Sequence, residues 1–148
     1  MNNQKNIVLC GVGGQGTVLA SKLLAAAAMS KDIPVMSAET IGMAQRGGSV
    51  FSHLRMGDNL YSPMIETGTA DLIIGFEPGE TVRMLPYLKD HGHIVVSTRT
   101  VKPVTATLSG SDYDAPQMLE YLKAAVPNLT LVNADQACAD IGSSKVLN

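Results

Sequence analysis

Two glycine-rich segments carry the residue types in this chain that are best suited to binding chemistry. The first, GVGGQG, holds Gly11, Gly13 and Gly16 in a G-x-G-x-x-G spacing, with Gly14 as an extra glycine. Glycine is required where φ is positive or where backbone approaches another group closely. If a helix begins after this turn, its first N–H groups point at the carboxyl edge of a sheet and can hold an anion or a partner's carbonyl. The same spacing also suits a plain turn that packs helix on strand, and the sequence leaves both interpretations open.

The second segment is the polar, glycine-rich stretch SAETIGMAQRGG, which has no clean period and ends in Gln45, Arg46, Gly47 and Gly48. We expect this long loop to lie over the carboxyl edge beside the first glycine turn, where loops tend to carry function. A dinucleotide site would further require an acidic residue at the end of the second strand. That strand is predicted over Pro34–Ser37, and the first acid, Glu39, falls beyond it. The sequence therefore disfavours a dinucleotide.

Strands alternate with helices along the chain, which predicts a three-layer α/β/α domain with a mostly parallel, Rossmann-like sheet. Residues 49–56 alternate in polarity and are predicted to form a half-exposed strand. A short strand at 60–62 would pair with it antiparallel, so the sheet would be partly antiparallel. In this half-exposed strand we expect His53 on a polar or interface face rather than as a ligand. The other strands are predicted at 7–10, 70–76, 93–97 and 129–132. The helices are predicted from Thr17, from Pro78 to about Lys89, at 116–125 and at 134–141, with an extended segment at 101–109.

Composition excludes several classes of protein. The 148 residues are 45% apolar and 16% charged with a net charge of −2, which gives no nucleic-acid signal and favours a protein partner or self-association of the isolated chain. The two cysteines, Cys10 and Cys138, lie far apart, whereas an iron–sulfur or zinc site needs about four clustered ligands. Without a signal peptide or an apolar run of about 20 residues, the chain is expected to be cytoplasmic and not membrane-bound.

Self-sufficient catalytic machinery is not evident in the sequence. There is no nucleophile elbow, no H-E-x-x-H and no complete P-loop, and paired carboxylates are not evident. His91 and His93 flank Gly92 in what is predicted to be a solvated turn. The chain is therefore predicted to contribute loops to a site rather than to react alone.

Three stretches, GVGGQG at 11–16, GMAQRGGSVFSHLRMG at 42–57, and YSP with ADLIIGFEPGE within 61–80, resemble a known family. They are similar to the small, non-thiamine subunit of 2-oxoacid:ferredoxin oxidoreductases, more to the indolepyruvate beta type than to the pyruvate/ketoisovalerate gamma type. The resemblance covers nearly the whole chain. Family members continue beyond residue 148, so it implies that 1–148 is a gamma-type domain shortened at its C-terminal end.

The resemblance implies a function that the residues alone leave open. The family oxidises a 2-oxoacid, here an aryl pyruvate such as indolepyruvate, to an acyl-coenzyme A while reducing ferredoxin. Thiamine diphosphate, magnesium and the iron–sulfur clusters are implied on an alpha-type partner subunit, and coenzyme A is a substrate. The residues carried over, as contacts to the partner's site or as interface, are Gly11, Gly13, Gly14, Gln15, Gly16, Gln45, Arg46, Gly47 and Gly48.

Two alternatives remain open at this point. Arg46 either holds a carboxylate or phosphate bidentately or forms an ion pair at the subunit interface. The whole chain is either a contributor to the active site, a purely structural scaffold, or a free-standing nucleotide-binding dehydrogenase domain.

Overall fold

A computed structural model of the chain describes residues 4–40, 47–102, 104–108 and 113–142. Its six strands form one sheet in the order β2-β3-β1-β4-β5-β6. The strands are β1 Lys5–Val12, β2 Val35–Glu39, β3 Ser49–Met56, β4 Ala70–Gly75, β5 Leu88–Ser97 and β6 Leu129–Val132. The helices are α1 Thr17–Met29, α2 Pro78–Met84, α3 Val104–Leu108, α4 Ala115–Ala125 and α5 Ala134–Ile141, with a 3-10 turn at Leu85–Tyr87.

The sheet is mixed, as the sequence predicted. β1 pairs in parallel with β4, β4 with β5, and β5 with β6, whereas β3 pairs antiparallel with both β1 and β2. A single reversed strand therefore lies between β1 and β2. Parallel neighbours need helical crossovers, and these cover both faces of the sheet. The predicted α/β class with a mostly parallel, partly antiparallel sheet is confirmed.

Alternate residues of the central strands supply two apolar cores. On one face Val8, Cys10 and Ile73 lie under α2 and α4, together with Leu122 of α4. On the other face Ile7, Leu9 and Leu54 pack against α1. Because strand side chains alternate with a period of two, β1 contributes to both cores and is buried from Ile7 to Val12.

Helix starts are fixed by side chains in three of the five helices. Glu77, Asp114 and Asn133 each accept a hydrogen bond from the backbone N–H three residues later, and Pro follows the cap in α2 and α4. This is the usual chemistry of an N-cap followed by proline in the first turn. No helix within the described ranges is long and apolar enough to cross a membrane.

The structure differs from the sequence prediction in several elements. The predicted helix from Pro78 to Lys89 ends at Met84, and β5 begins at Leu88, so Gly92 and both flanking histidines lie in a strand rather than a turn. Residues 104–108 form a helix instead of an extended segment. Residues 60–62 form no strand, and the antiparallel partners of β3 are β1 and β2. Pairing of β5 with β4 overrides the local helical pattern after Met84.

Candidate functional site

The glycine turn connects β1 to α1 at the carboxyl edge of the sheet. Its positive φ angles fall on Gly14 (101°) and Gly16 (81°), and Gly16 is the residue immediately before α1. The first turn of α1 contains no acidic residue. The partial positive charge of this helix start is therefore not offset locally, and the position suits an anion or a carbonyl oxygen.

Gln15 binds the glycine turn to the neighbouring strand end. Its side-chain Oε1 accepts from the Val12 N–H at 2.7 Å, and its Nε2 donates to the Phe76 carbonyl at 3.0 Å. Phe76 follows β4, and its own N–H donates to the Cys10 carbonyl at 2.8 Å. Both ends of the amide are engaged within the protein, so Gln15 holds the ends of β1 and β4 together.

The second predicted segment lies directly against the first. The Gly13 N–H donates to the Gly48 carbonyl at 2.8 Å, and the Gly47 N–H donates to the Gly13 carbonyl at 3.3 Å. The Val104 N–H, at the start of α3, donates to the Gly47 carbonyl at 3.0 Å. The structure thus brings the two glycine segments together at one edge. Gln45 and Arg46, which precede Gly47, lie outside the described residues.

A buried pair of carboxylates lies beside these loops, and sequence reasoning missed it. Glu77 is 0% exposed and Glu80 is 2% exposed, both at the start of α2. The expectation that paired carboxylates are absent is therefore wrong. The signal was available in FEPGE, because an acidic cap followed three residues later by a glutamate at a helix start resembles a capping box.

Three of the four oxygens of the buried pair accept a hydrogen bond, and the fourth forms an ion pair. Glu77 Oε2 accepts from the Glu80 N–H at 2.9 Å, and Glu77 Oε1 accepts from the Tyr113 hydroxyl. Glu80 Oε2 accepts from the Ser49 hydroxyl, and Arg83 Nη1 lies 3.6 Å from Glu80 Oε1. These bonds connect α2 to β3 and to the segment before α4, so these three parts of the chain meet around the two carboxylates.

Burial perturbs the ionisation of two groups here. Burial raises the pKa of Glu77 to about 7. The backbone N–H groups of Glu80 and Gly79 act in the opposite direction and lower this pKa, whereas the nearby charge of Glu80 raises it further. Burial also raises the pKa of the Cys10 thiol to about 12, and the Thr81 hydroxyl only partly offsets this. Cys10 therefore acts as a small hydrophobe in β1.

His53 does not lie on an exposed or interface face. It is 1% exposed, its Nδ1 accepts from the Ile65 N–H at 2.9 Å, and its ring meets Tyr87 edge-on at a centroid distance of 5.2 Å. Because Nδ1 is an acceptor, the proton of the neutral ring is assigned to Nε2. Burial lowers the pKa of His53, so the imidazole is a packed, neutral core group. The half-exposed strand predicted from alternation is wrong, because Ile65 and Tyr87 cover the face of β3 that carries His53.

Beyond Gln15 the carboxyl edge opens into a shallow apolar cleft of about 160 Å3. It is lined by ends of β4, β5 and β6, including Phe76, Val95 and Val132, with Arg99 at its rim. The Arg99 guanidinium lies 3.5 Å from the exposed Asp135 carboxylate. Among the described residues no group of three or more His, Cys, Asp or Glu side chains could hold a metal ion.

The sequence matches one protein family over almost its whole length. The family profile described as pyruvate ferredoxin/flavodoxin oxidoreductase matches residues 6–148. The chain is 38% identical over 144 residues to indolepyruvate oxidoreductase subunit IorB of Archaeoglobus fulgidus, covering 97% of this chain and 71% of that protein. It is 28% identical over 140 residues to the pyruvate/ketoisovalerate oxidoreductases common subunit gamma of Thermococcus kodakarensis, covering 93% of this chain and 69% of that one. The nearer similarity to the indolepyruvate type agrees with the resemblance seen in the motifs.

A solved structure shares the fold. The gamma subunit of a keto/oxoacid ferredoxin oxidoreductase from Geobacter sulfurreducens PCA superposes with a TM-score of 0.66 at 22% identity. The match covers 98% of this chain and 70% of that chain. The architecture of the sheet and its helices is therefore common to both proteins.

Proposed function

This chain belongs to the pyruvate ferredoxin/flavodoxin oxidoreductase family, and we propose that it is the small subunit of a 2-oxoacid:ferredoxin oxidoreductase, acting on an aryl pyruvate such as indolepyruvate. The observation that carries the proposal is the 38% identity over 144 residues to a subunit named for indolepyruvate oxidoreductase. In this role the chain completes an active site that lies mainly on a thiamine-binding alpha-type partner.

The contribution of the chain to that site is its carboxyl edge. The two joined glycine segments lie at this edge beside the start of α1, and Arg46 directly precedes Gly47 in the sequence. When bound to the partner, thiamine diphosphate with magnesium supplies the carbanion chemistry on the 2-oxoacid, and iron–sulfur clusters carry electrons to ferredoxin. Coenzyme A accepts the acyl group. The residues of this chain bind, orient and exclude water beside that chemistry.

Arg46 is proposed as the residue of this edge that contacts an anionic ligand. A guanidinium binds a carboxylate or phosphate through two parallel N–H groups, which a lysine ammonium cannot do. The joined segments lend support, because Gly47, the residue after Arg46 in the sequence, is hydrogen-bonded to Gly13 of the glycine turn.

The decisive experiment measures turnover against partner concentration for wild type and Arg46→Lys, each chain mixed with the purified thiamine-binding partner. For a ligand contact we expect the complex to assemble normally and turnover to fall, or the Michaelis constant to rise, by about tenfold. Lys31→Arg is the control, since Lys31 is exposed just after α1, at the other end of that helix from the glycine turn, and should leave both quantities unchanged. Full recovery of the rate at saturating partner would assign Arg46 to the interface instead.

The proposal also requires that neither chain work alone. Oxoacid-dependent reduction of ferredoxin or a viologen dye should appear only when this chain and the thiamine-binding partner are combined. Activity of the isolated chain would contradict the subunit role. Activity of the partner alone at the full rate would leave this chain as a scaffold.

The alternative of a free-standing nicotinamide-binding domain is disfavoured by the sheet. Glu39 is in fact the last residue of β2, so the acid is at the strand end. However, β3 separates β2 from β1, whereas the dinucleotide fold places these strands side by side. An acid at the end of β2 is therefore one strand too far from the glycine turn. Titration of the isolated chain with nicotinamide dinucleotides should show no saturable binding.

A further inference from the structure

The contact between Ser49 and Glu80 joins the glycine segments to the helical layer. β3 begins at Ser49, which pairs with Val12 of β1. The two residues that precede Ser49, Gly47 and Gly48, lie outside this strand pairing and are bound to Gly13 by two backbone hydrogen bonds. The Ser49 hydroxyl, next in sequence, donates to Glu80 Oε2. A side chain of α2 thus holds the first residue after the Gly47–Gly48 segment.

Glu80 is held rigidly enough to serve as an anchor. It is 2% exposed, and its N–H donates to Glu77 Oε2 at 2.9 Å. Glu77 is itself fixed by the Tyr113 hydroxyl, and its carbonyl accepts from the Thr81 hydroxyl at 2.7 Å. Burying a carboxylate costs free energy unless the group is hydrogen-bonded. The bond from the Ser49 hydroxyl offsets part of this desolvation cost for Glu80. A helix-capping role alone would not need Glu80 to be buried, because Glu77 already provides the cap.

We infer that Glu80 is a positioning residue, whose carboxylate orients Ser49 and thereby fixes the Gly47–Gly48 segment against the glycine turn. Its importance for turnover rests on the function proposed above, because that function places Arg46 on the same segment. The positional effect itself is a property of the isolated chain. The two can therefore be tested separately.

The first test follows amide hydrogen exchange by NMR in the labelled full chain. Ser49→Ala and Glu80→Met each remove one partner, and each should accelerate exchange of the Gly13 and Gly47 amides by about tenfold. The Phe76 amide, bonded to the Cys10 carbonyl in the same edge, should stay protected. Glu80→Gln keeps an acceptor oxygen and should retain most of the protection. Glu66→Gln, at an exposed glutamate, is the control variant.

A double variant tests whether Ser49 and Glu80 act through the same contact. If Ser49 and Glu80 act through one contact, the double variant Ser49→Ala/Glu80→Met should exchange no faster than either single variant. Unchanged Gly13 and Gly47 exchange in Ser49→Ala would overturn the inference, and this variant serves even if Glu80→Met fails to fold. Strictly additive effects in the double variant would also overturn it.

The second test uses the assembled complex with the thiamine-binding partner. Ser49→Ala and Glu80→Met should lower kcat/KM by the same factor, and Glu80→Gln should restore most of it. Altered amide exchange with unaltered turnover would uphold the positioning role and count against the proposed function of the Arg46 loop. Altered turnover with unaltered exchange would reject the positioning role while leaving the subunit function intact.

Discussion

The carboxylate of Glu77 couples folding to pH. Burial raises its pKa from 4.5 to about 7, so between these values the folded chain binds a proton that the unfolded chain does not. The free energy of unfolding should therefore fall as pH rises from about 4.5 to about 7, by about 3 kcal/mol. The stabilising contribution of protonated Glu77 is fully present below pH 4.5 and is lost as the pH rises through about 7.

Chemical denaturation at several pH values checks this expectation, with Glu77→Gln as the comparison. The variant cannot ionise and should show a flatter profile than wild type. His53 has the opposite effect in both proteins, because burial lowers its pKa and stability is lost as pH falls. The difference between the two profiles isolates Glu77. Parallel profiles would contradict the assignment.

Cys10 should be chemically silent in the folded chain. Its side chain is 0% exposed and its pKa is raised to about 12, so both access and thiolate formation are suppressed. In Cys138→Ser, where Cys10 is the remaining thiol, Ellman's reagent should react at a rate set by unfolding. Addition of denaturant should give prompt reaction of one thiol per chain, and prompt reaction without denaturant would refute this expectation.

At the scale of elements, the close approach of α2 to β4 depends on Gly75. A Cβ added there would collide with Thr81 Oγ1 and lie 2.9 Å from Thr81 Cβ. Gly75→Ala should therefore destabilise the chain by about 2–3 kcal/mol, because neither strand nor helix can move without disturbing the core. Thermal unfolding measures the loss. Gly68→Ala is the contrast, since an added Cβ there meets no atom within 4 Å and only backbone strain at φ 73° remains.

Local chemistry was sufficient to predict some elements and insufficient for others. β6 and α5 have the bounds that the sequence predicts, because apolar runs, Asn133 and Gly142 mark their ends unambiguously. The placement of β3 between β1 and β2 was not predictable, since alternation in 49–56 is equally typical of an edge strand. The burial of His53 depends on that placement. The joining of Gly13 to Gly48 was anticipated in outline, whereas the role of Glu80 depends on three-dimensional neighbours.

At the scale of the whole molecule, α1 exposes a line of large apolar side chains. Leu19 is 50% exposed and Leu23 is 59% exposed, one helical turn apart. Contiguous apolar surface on a chain with few charges favours association, so the isolated protein should form dimers or larger species. Light scattering coupled to size exclusion should show a shift to monomer for Leu19→Glu/Leu23→Glu.

The double variant both adds negative charge and removes apolar surface, so a control is needed that changes the charge alone. Lys22→Glu, between the two leucines, alters net charge by the same amount and should leave the association unchanged. A wild-type chain that stays monomeric at high concentration would contradict the expectation.

The reversed strand β3 also dictates the order in which the chain can fold. β1 hydrogen-bonds to β3 on one side and to β4 on the other, and these strands begin only at Ser49 and Ala70. During synthesis the apolar N-terminal strand and its helix therefore emerge from the ribosome well before any partner exists for them. Contacts this distant in sequence delay folding and leave the nascent segment open to aggregation or chaperone capture. The N-terminal third becomes stable only when the middle of the chain arrives and closes the sheet around it.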